Sequence, residues 1–391
     1  MKILHVLELI SPDSAFGGPM RVAFNDASVL TALGHDVTVI AGNTAYDPPP
    51  ESIGGVPVKL FPARTAVPWV GYAGTYAPAM RRWIAANASR FDVAHVHFGR
   101  DLVTIPAARQ LCRARVPLVL QTHGMITPSS HPLAGPVDRL WTISLLNRAA
   151  CVLFLNERER DDLRAVGGPG LSLIRMDNGV RVIGEDVIPH TADREAVPEV
   201  LFMARLHERK RAEIFAEAAL QLLRPDATAR FRIVGPPEGG EAAVDSVIER
   251  ARREGVTAEQ LRREPAVPQD QALKRMSHAA VYVLPAAREP FGMTIIEALS
   301  LGIPVVICQD GGLAPFVERH QCGLVTDATP ESIASAIRKL LSDSGLAHEM
   351  GQRGRAAVKA ELSIDQIGRR LEAVYRTLLA ERGGTANGHG R

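Results

Sequence analysis

The stretch Glu289-Pro290-Phe291-Gly292-Met293-Thr294-Ile295-Ile296-Glu297 places one carboxylate in a loop and a second on a helix. Reading outward, Val281 to Leu284 is a short apolar strand and Pro285 to Pro290 a polar connection. Phe291 to Leu301 then has helical periodicity, with Ile295, Ile296 and Leu299 on the buried side. The carboxyl end of a strand feeding a helix is where open α/β sheets bind ligands. Free N–H groups around Gly292, Met293 and Thr294 would point at an anion, and the helix dipole would favour it further. Two acids at this separation can grip two parts of one ligand. The competing reading is packing alone, since acids on surface turns and helices are common.

A chain of 391 residues exceeds one ordinary core, so two domains are expected. Hydrophobic content of 46% supplies both cores. With 45 basic and 43 acidic residues the net charge is +2, which lacks the footprint of a nucleic-acid-binding protein. Cys112, Cys151, Cys308 and Cys322 are scattered without metal-ligand spacing and read as reduced, buried thiols. The apolar start, Met1 to Leu7, is too short before Glu8 for a signal peptide, and no run approaches a membrane span. A cytoplasmic protein is expected, with peripheral contact to the cytoplasmic face of a membrane left open.

Ile3 to Leu9 reads as a buried strand, Ser11 to Gly18 as a turn-rich loop, Pro19 to Leu33 as a helix and Val37 to Ile40 as a second strand, which makes a βαβ unit. Strands follow at Val93 to His97, Leu118 to Thr122, Cys151 to Leu155 and Ser172 to Arg175, with helices at Arg139 to Ala149 and Glu157 to Val166. A polar segment from Gly184 to Glu199 precedes a second series that begins with strand Val200 to Ala204, helix Arg209 to Leu223 and strand Phe231 to Val234. The expected architecture is α/β, two doubly wound Rossmann-like domains with a cleft between them. Residues 1–183 form the first and 184–363 the second. Residues 364–391 form a helix that crosses back toward the first domain, followed by a disordered tail from Gly383.

Several side chains carry chemistry. Arg205 and Lys210, five residues apart at a strand end and a helix start, can converge on a diphosphate, the first by bidentate contact and the second as a point charge. A solvated basic cluster with Arg209 and Arg211 is the alternative. Gly17 and Gly18 would let their loop approach phosphates without a Cβ clash, and Arg21 lies just inside the next helix. His123 sits at a sheet edge before Gly124. His95 and His97 share one face of a strand, which suggests a metal, but a third ligand with suitable spacing is missing, so no tightly held metal is expected. Trp69, Tyr72, Tyr76 and Trp83 concentrate aromatics in a chain with only 5% of them, and sugar stacking, a lipid-linked acceptor surface and ordinary burial all stay open.

The order of Gly17-Gly18-Pro19, Gly34-His35-Asp36-Val37, His95-Val96-His97, Thr122-His123-Gly124, Asn178-Gly179-Val180, Arg205 with Lys210, Glu289 with Glu297, and Gly311-Gly312 resembles the retaining family 4 glycosyltransferases, nucleotide-sugar enzymes of GT-B type. The resemblance covers nearly the whole chain. It implies transfer of a hexose from a nucleoside diphosphate sugar, a UDP sugar favoured, to a hydroxyl of a glycan, lipid-linked or small-molecule acceptor, with no tightly bound cofactor. It implies that Glu297 takes the ribose hydroxyls, that Glu289 faces the transferred sugar beside Phe291, Gly292, Met293 and Thr294, that His123 approaches the sugar's hydroxymethyl region, and that Arg21 and His97 face the acceptor. Glu289, His123, Arg205 and Lys210 form its catalytic set. In such members the donor phosphate takes the acceptor proton on the face that the leaving group vacates, and a glutamate nucleophile is the runner-up. Two positions depart from the pattern, Arg181 and Pro315, where acids are usual, and Glu264 to Pro268 stands where an apolar strand and glycine are expected.

Two other functions compete. A nucleotide-sugar epimerase can share this build, and a non-catalytic sugar-binding module is the rival from another class, opposed by the Arg205 and Lys210 pair. A dinucleotide dehydrogenase is weaker, because Gly17-Gly18 lacks the spaced third glycine and its acidic partner.

Overall fold

The computed structural model describes residues 1–11, 17–182, 197–223 and 229–387. The chain divides into two compact units, Met1–Gly179 with Ile364–Arg391, and Val180–Ser363. Most of the polar segment from Gly184 to Glu199 lies outside the described residues.

In the first unit β1 (Lys2–Ile10) leads to α1 (Gly17–Ala32) and β2 (Asp36–Asn43), then β3 (Val56–Pro62), β4 (Val93–His97), α2 (Thr104–Arg113), β5 (Leu118–Gln121), β6 (Cys151–Phe154), α3 (Glu157–Gly167) and β7 (Leu173–Arg175). The sheet order is β7-β6-β5-β4-β1-β2-β3, parallel throughout, with the two-residue strand Ser52–Ile53 antiparallel on the outer edge. Strand order reverses between β1 and β4. Side chains alternate across β1, Leu4 and Val6 into one core and Ile3 and Leu7 into the other, so both faces are covered as a parallel sheet requires. The final helix α7 (Ile364–Asn387) belongs to this unit, and a Cβ on Gly368 would stand 2.3 Å from Val29 Cγ1, a measure of how closely it crosses α1.

The second unit contains β8 (Glu199–Met203), α4 (Ala212–Leu222), β9 (Arg230–Val234), α5 (Glu241–Arg253), β10 (Leu261–Glu264), β11 (Val281–Leu284), α6 (Met293–Ser300), β12 (Val305–Cys308) and β13 (Gly323–Thr326). Its order is β10-β9-β8-β11-β12-β13, all parallel, with the reversal between β8 and β11. Both units are therefore doubly wound Rossmann-like sheets, each with its own switch point.

Some boundaries differ from the sequence reading. Gly17 and Gly18 are the first residues of α1 rather than the end of a loop, and the loop's residues 12–16 lie outside the described set. The tail expected to be disordered from Gly383 is helical to Asn387. Strand β3 and helix α2 were missed. So was β10, whose Leu-Arg-Arg-Glu sequence has one apolar residue; as an edge strand it is held by ion pairs instead, Arg263 to Asp245 at 2.9 Å and Arg275 to Glu264 at 3.0 Å. Cys151, Cys308 and Cys322 are buried and Cys112 half-buried, all as free thiols.

Candidate active site

In the second unit the residues quoted first in the sequence lie beside the switch point. Glu289 is in the connection that leaves β11, and Glu297, 3% exposed, is on α6. The chain enters α6 through Gly292 at φ +84°, a left-handed conformation that suits glycine and leaves the first-turn N–H groups of Met293 and Thr294 without partners inside the helix. Phe291 is 4% exposed, so its side chain packs in the core and only its backbone borders the helix start. The hydroxyl of Tyr282 lies 2.7 Å from Thr294 Oγ1 and 3.0 Å from the Met203 carbonyl oxygen, tying α6 to both switch-point strands.

Arg205 follows β8, and its Nη1 donates to Glu238 Oε1 at 2.5 Å. Lys210 ends a single 3-10 turn, Glu208–Lys210, and its Nζ donates to Glu289 Oε2. Both side chains of the Lys210–Glu289 pair are mostly buried, 18% and 16% exposed, whereas Arg205 is 46% exposed. The two cations are thus each tied to a different carboxylate. Glu238 belongs to the loop Gly235 to Gly240, which the sequence reading passed over. Leu206 N–H donates to Pro236 O at 2.9 Å and Gly240 N–H to Leu206 O at 2.7 Å, so this loop is laced to the one that carries Arg205. A Cβ at Gly235 would stand 1.8 Å from Ala204 O, and only glycine admits that approach.

In the first unit Gly17, Gly18 and Arg21 occupy the first turns of α1, with Arg21 half-buried and its guanidinium pKa drawn down by that burial. His123 follows β5 at φ +51°, a left-handed conformation uncommon outside glycine. Its Nε2 is 2.8 Å from Nδ1 of His97, and the two rings stack with centroids 5.1 Å apart. Burial lowers the His123 pKa to about 3, so the ring is neutral at physiological pH. His97 itself is 2% exposed.

Glu159 holds the Thr122-His123-Gly124 turn and was missed from sequence. Its Oε1 accepts from Thr122 Oγ1 and Gly124 N, both at 2.5 Å, and its Oε2 from Leu155 N at 2.7 Å. Desolvation raises the carboxyl pKa while these three donors oppose the rise. The available signal was Asn156-x-x-Glu159, a capping pattern. Asn156 Oδ1 does accept from Glu159 N at 3.0 Å, and the glutamate side chain reaches across to the neighbouring strand end.

The third imidazole absent from the His95 and His97 spacing is supplied by β1. His5 is in register with His95 on the adjacent strand, and its Nδ1 is 3.2 Å from His97 Nε2. The aromatic segment divides: Trp83 packs on Phe61 and Phe91, while Trp69 is 81% and Tyr72 57% exposed. No described helix is long and apolar enough to cross a membrane.

Residues 17–179 match the family described as glycosyl transferase 4-like domain, and residues 186–357 match glycosyl transferases group 1. The chain is 26% identical to alpha-D-kanosaminyltransferase of Streptomyces kanamyceticus, over 79% of this chain and 85% of that one. It is 28% identical to D-inositol 3-phosphate glycosyltransferase of Streptomyces bingchenggensis, over 90% and 83%. The solved structure of Anabaena HepE in complex with UDP-glucose superposes with a TM-score of 0.72 at 19% identity, covering 96% of this chain and 100% of that one. Two Rossmann-like units, each matched by its own half of the same enzyme class and in the same order, leave one conclusion: the chain belongs to the family 4-like glycosyltransferases of GT-B fold.

Proposed function

We propose that this chain transfers a hexose from a UDP sugar, with retention of anomeric configuration, to a hydroxyl of a glycan, lipid-linked or small-molecule acceptor. The observation that carries the reading is the Lys210–Glu289 pair beside the β8/β11 switch point, next to the open first turn of α6. An ammonium has three donors, and with one on Glu289 the others serve phosphate oxygens. Arg205, half in solvent, exchanges Glu238 for the diphosphate with little desolvation. Stabilising the departing diphosphate is the main electrostatic task in a reaction through an oxocarbenium-like sugar. Glu297 receives the ribose hydroxyls, while Glu289 acts on the sugar as positive character develops at C1. The first domain takes the acceptor, with Arg21 on that side, while Gly17 and Gly18 let the start of α1 approach the donor phosphates. There His123 meets the donor sugar's hydroxymethyl region as a neutral imidazole, and His97 acts through it.

The donor bound by HepE and the transferase names of the relatives support a UDP hexose and a polar hydroxyl acceptor. Peripheral membrane contact through Trp69 and Tyr72 belongs to the same proposal and would suit a lipid-linked acceptor. The test is a screen of UDP, GDP and ADP sugars by thermal shift, followed by NMR of the product's anomeric centre. Glu289→Gln should lose turnover more than nucleotide affinity, and Glu297→Gln the reverse, by roughly 1–3 kcal/mol of binding. An inverted anomer, or no stabilisation by any UDP compound, would overturn the reading.

A further inference from the structure

The face of the first sheet that carries His5 also carries His95, His97 and Gln121, in register on β1, β4 and β5. None of the four is more than 2% exposed. Such a row on a parallel strand face normally reads as apolar, and the neighbouring positions Ile3, Val93 and Val119 do. Three of its polar atoms, His5 Nε2, His95 Nε2 and Gln121 Oε1, are buried and have no hydrogen-bond partner among the described residues. Buried polar atoms left in this way are exceptions that require an explanation, and for His95 Nε2 and Gln121 Oε1 an unplaced ion is one of the few available, whereas His5 Nε2, the ring nitrogen not paired with His97, stays outside its ligand set.

The geometry points to an exchangeable site for a divalent transition-metal cation of the imidazole-preferring class, zinc or cobalt, held by one ring nitrogen each from His5, His95 and His97. Nitrogens around a tetrahedral ion of this kind stand roughly 3.3 Å apart, given metal–nitrogen bonds of about 2.0–2.1 Å. His5 Nδ1 and His97 Nε2 are 3.2 Å apart, and one ligand atom from each of the three histidines lies within 4.8 Å of the others. Small ring rotations therefore close the set. For His95 and His97 the outer contacts follow the arrangement that metal-bound histidines use, in which the second ring nitrogen is held by a polar partner. His95 Nδ1 is 2.7 Å from the Tyr375 hydroxyl on α7, and His97 Nδ1 is 2.8 Å from His123 Nε2. Gln121 Oε1 completes the fourth position, its amide nitrogen being directed to Asn178 Oδ1 at 3.4 Å. On binding, the hydrogen shared between His5 and His97 moves to the other nitrogen of the His5 ring, so no net proton is released. The ion takes no part in the sugar chemistry, and it connects to the candidate active site through His97 to His123.

The test uses the full chain, free of affinity tags and stripped of metal by a chelator. Titration with cobalt(II) should reach one equivalent and develop the visible absorption of a four-coordinate nitrogen-ligated ion. Ring-nitrogen NMR of the wild type with zinc(II) should move the signals of His5, His95 and His97. His5→Phe and His95→Gln should each weaken cobalt binding at least 100-fold. His123→Asn, which removes only an outer contact, should weaken it 10- to 100-fold. The NMR measurement decides the matter even where a variant fails to fold. No stoichiometric uptake by the wild type, or uptake that moves other histidines and survives both ligand substitutions, would overturn the inference.

Discussion

Replacing Glu159 with Gln would test whether the His123 turn is held by a carboxylate that never touches substrate. Gln keeps an oxygen where Oε1 receives Thr122 and Gly124, but it presents an NH2 group to the Leu155 N–H that Oε2 now accepts. Orphaning that buried N–H costs about 1–3 kcal/mol, and two bonds lose charge assistance worth about 1 kcal/mol each. Relief from burying a charge, which already raises the Glu159 pKa, offsets part of this, leaving a net loss of roughly 2–4 kcal/mol. For a unit of this size, each kcal/mol moves Tm by about 2–4 °C, so a fall of roughly 4–16 °C is expected by calorimetry. Because His123 is held in a left-handed conformation, loosening its anchor should also lower kcat about 10- to 100-fold, the scale of a misplacement near 1 Å. UDP affinity should stay within a factor of about two, since Arg205, Lys210 and Glu297 belong to the other unit. A variant with wild-type kcat and unchanged Tm would refute the anchoring argument, and one that lost UDP affinity instead would move Glu159's role to the nucleotide.

Three further outcomes follow from the same geometry. Arg205→Ala and Lys210→Ala should weaken UDP binding by about 2–5 kcal/mol in calorimetry, far more than they change ligand-free stability; equal affinities would remove both from the diphosphate. Gly292→Ala should destabilise by about 1 kcal/mol and weaken UDP binding, because a Cβ at φ +84° is strained and would stand 2.6 Å from Ile295 Cδ1; an unchanged urea midpoint would contradict it. Stability should also fall as pH rises from about 6.5 to 8. Burial raises Asp26 to about 8, and burial with the nearby Asp101 raises Glu8 to about 9, so each favours the fold fully below its unfolded pKa near 4 and loses that contribution as pH climbs through the folded value. His5 and His123, lowered by burial to about 3, act oppositely, losing their contribution as pH falls below about 6.5, outside this window. Asp26→Asn should flatten the decline, and urea midpoints at pH 6.5 and 8.5 that drop as steeply as in the wild type would exclude Asp26 as its source.

The fold was legible where local signals agreed. Val93 to His97 is apolar at Ala94 and Val96 on one side of a two-residue period and carries Val93, His95 and His97 on the other, and the strand has the bounds expected from the sequence. The charged edge strand β10 was illegible because its apolar pattern is replaced by ion pairs to Asp245 and Arg275, which are remote in sequence. Strand β3, Val56-Pro-Val-Lys-Leu-Phe-Pro62, alternates properly but carries prolines at positions that ordinarily speak against a strand.

The site residues divide along the same physical line. Glu289, Gly292 and Glu297 lie within nine consecutive positions, so a strand, a turn and a helix place them together without information from elsewhere. Lys210 reaches Glu289 across 79 positions and Arg205 reaches Glu238 across 33, and only the strand order β9-β8-β11 brings those loops side by side. His5 was invisible for the same reason, since its neighbour His95 is supplied by parallel pairing of β1 with β4 and spacing along one strand could not disclose it. Glu159 is the instructive intermediate. Its cap pattern is local and was there to be read, yet what makes the residue matter is that β5 and β6 pair, so that one carboxylate in the first turn of α3, just beyond β6, meets the turn at the end of β5. Local pattern thus identifies the elements and the groups that end them, and strand order at the two switch points decides which of those groups meet.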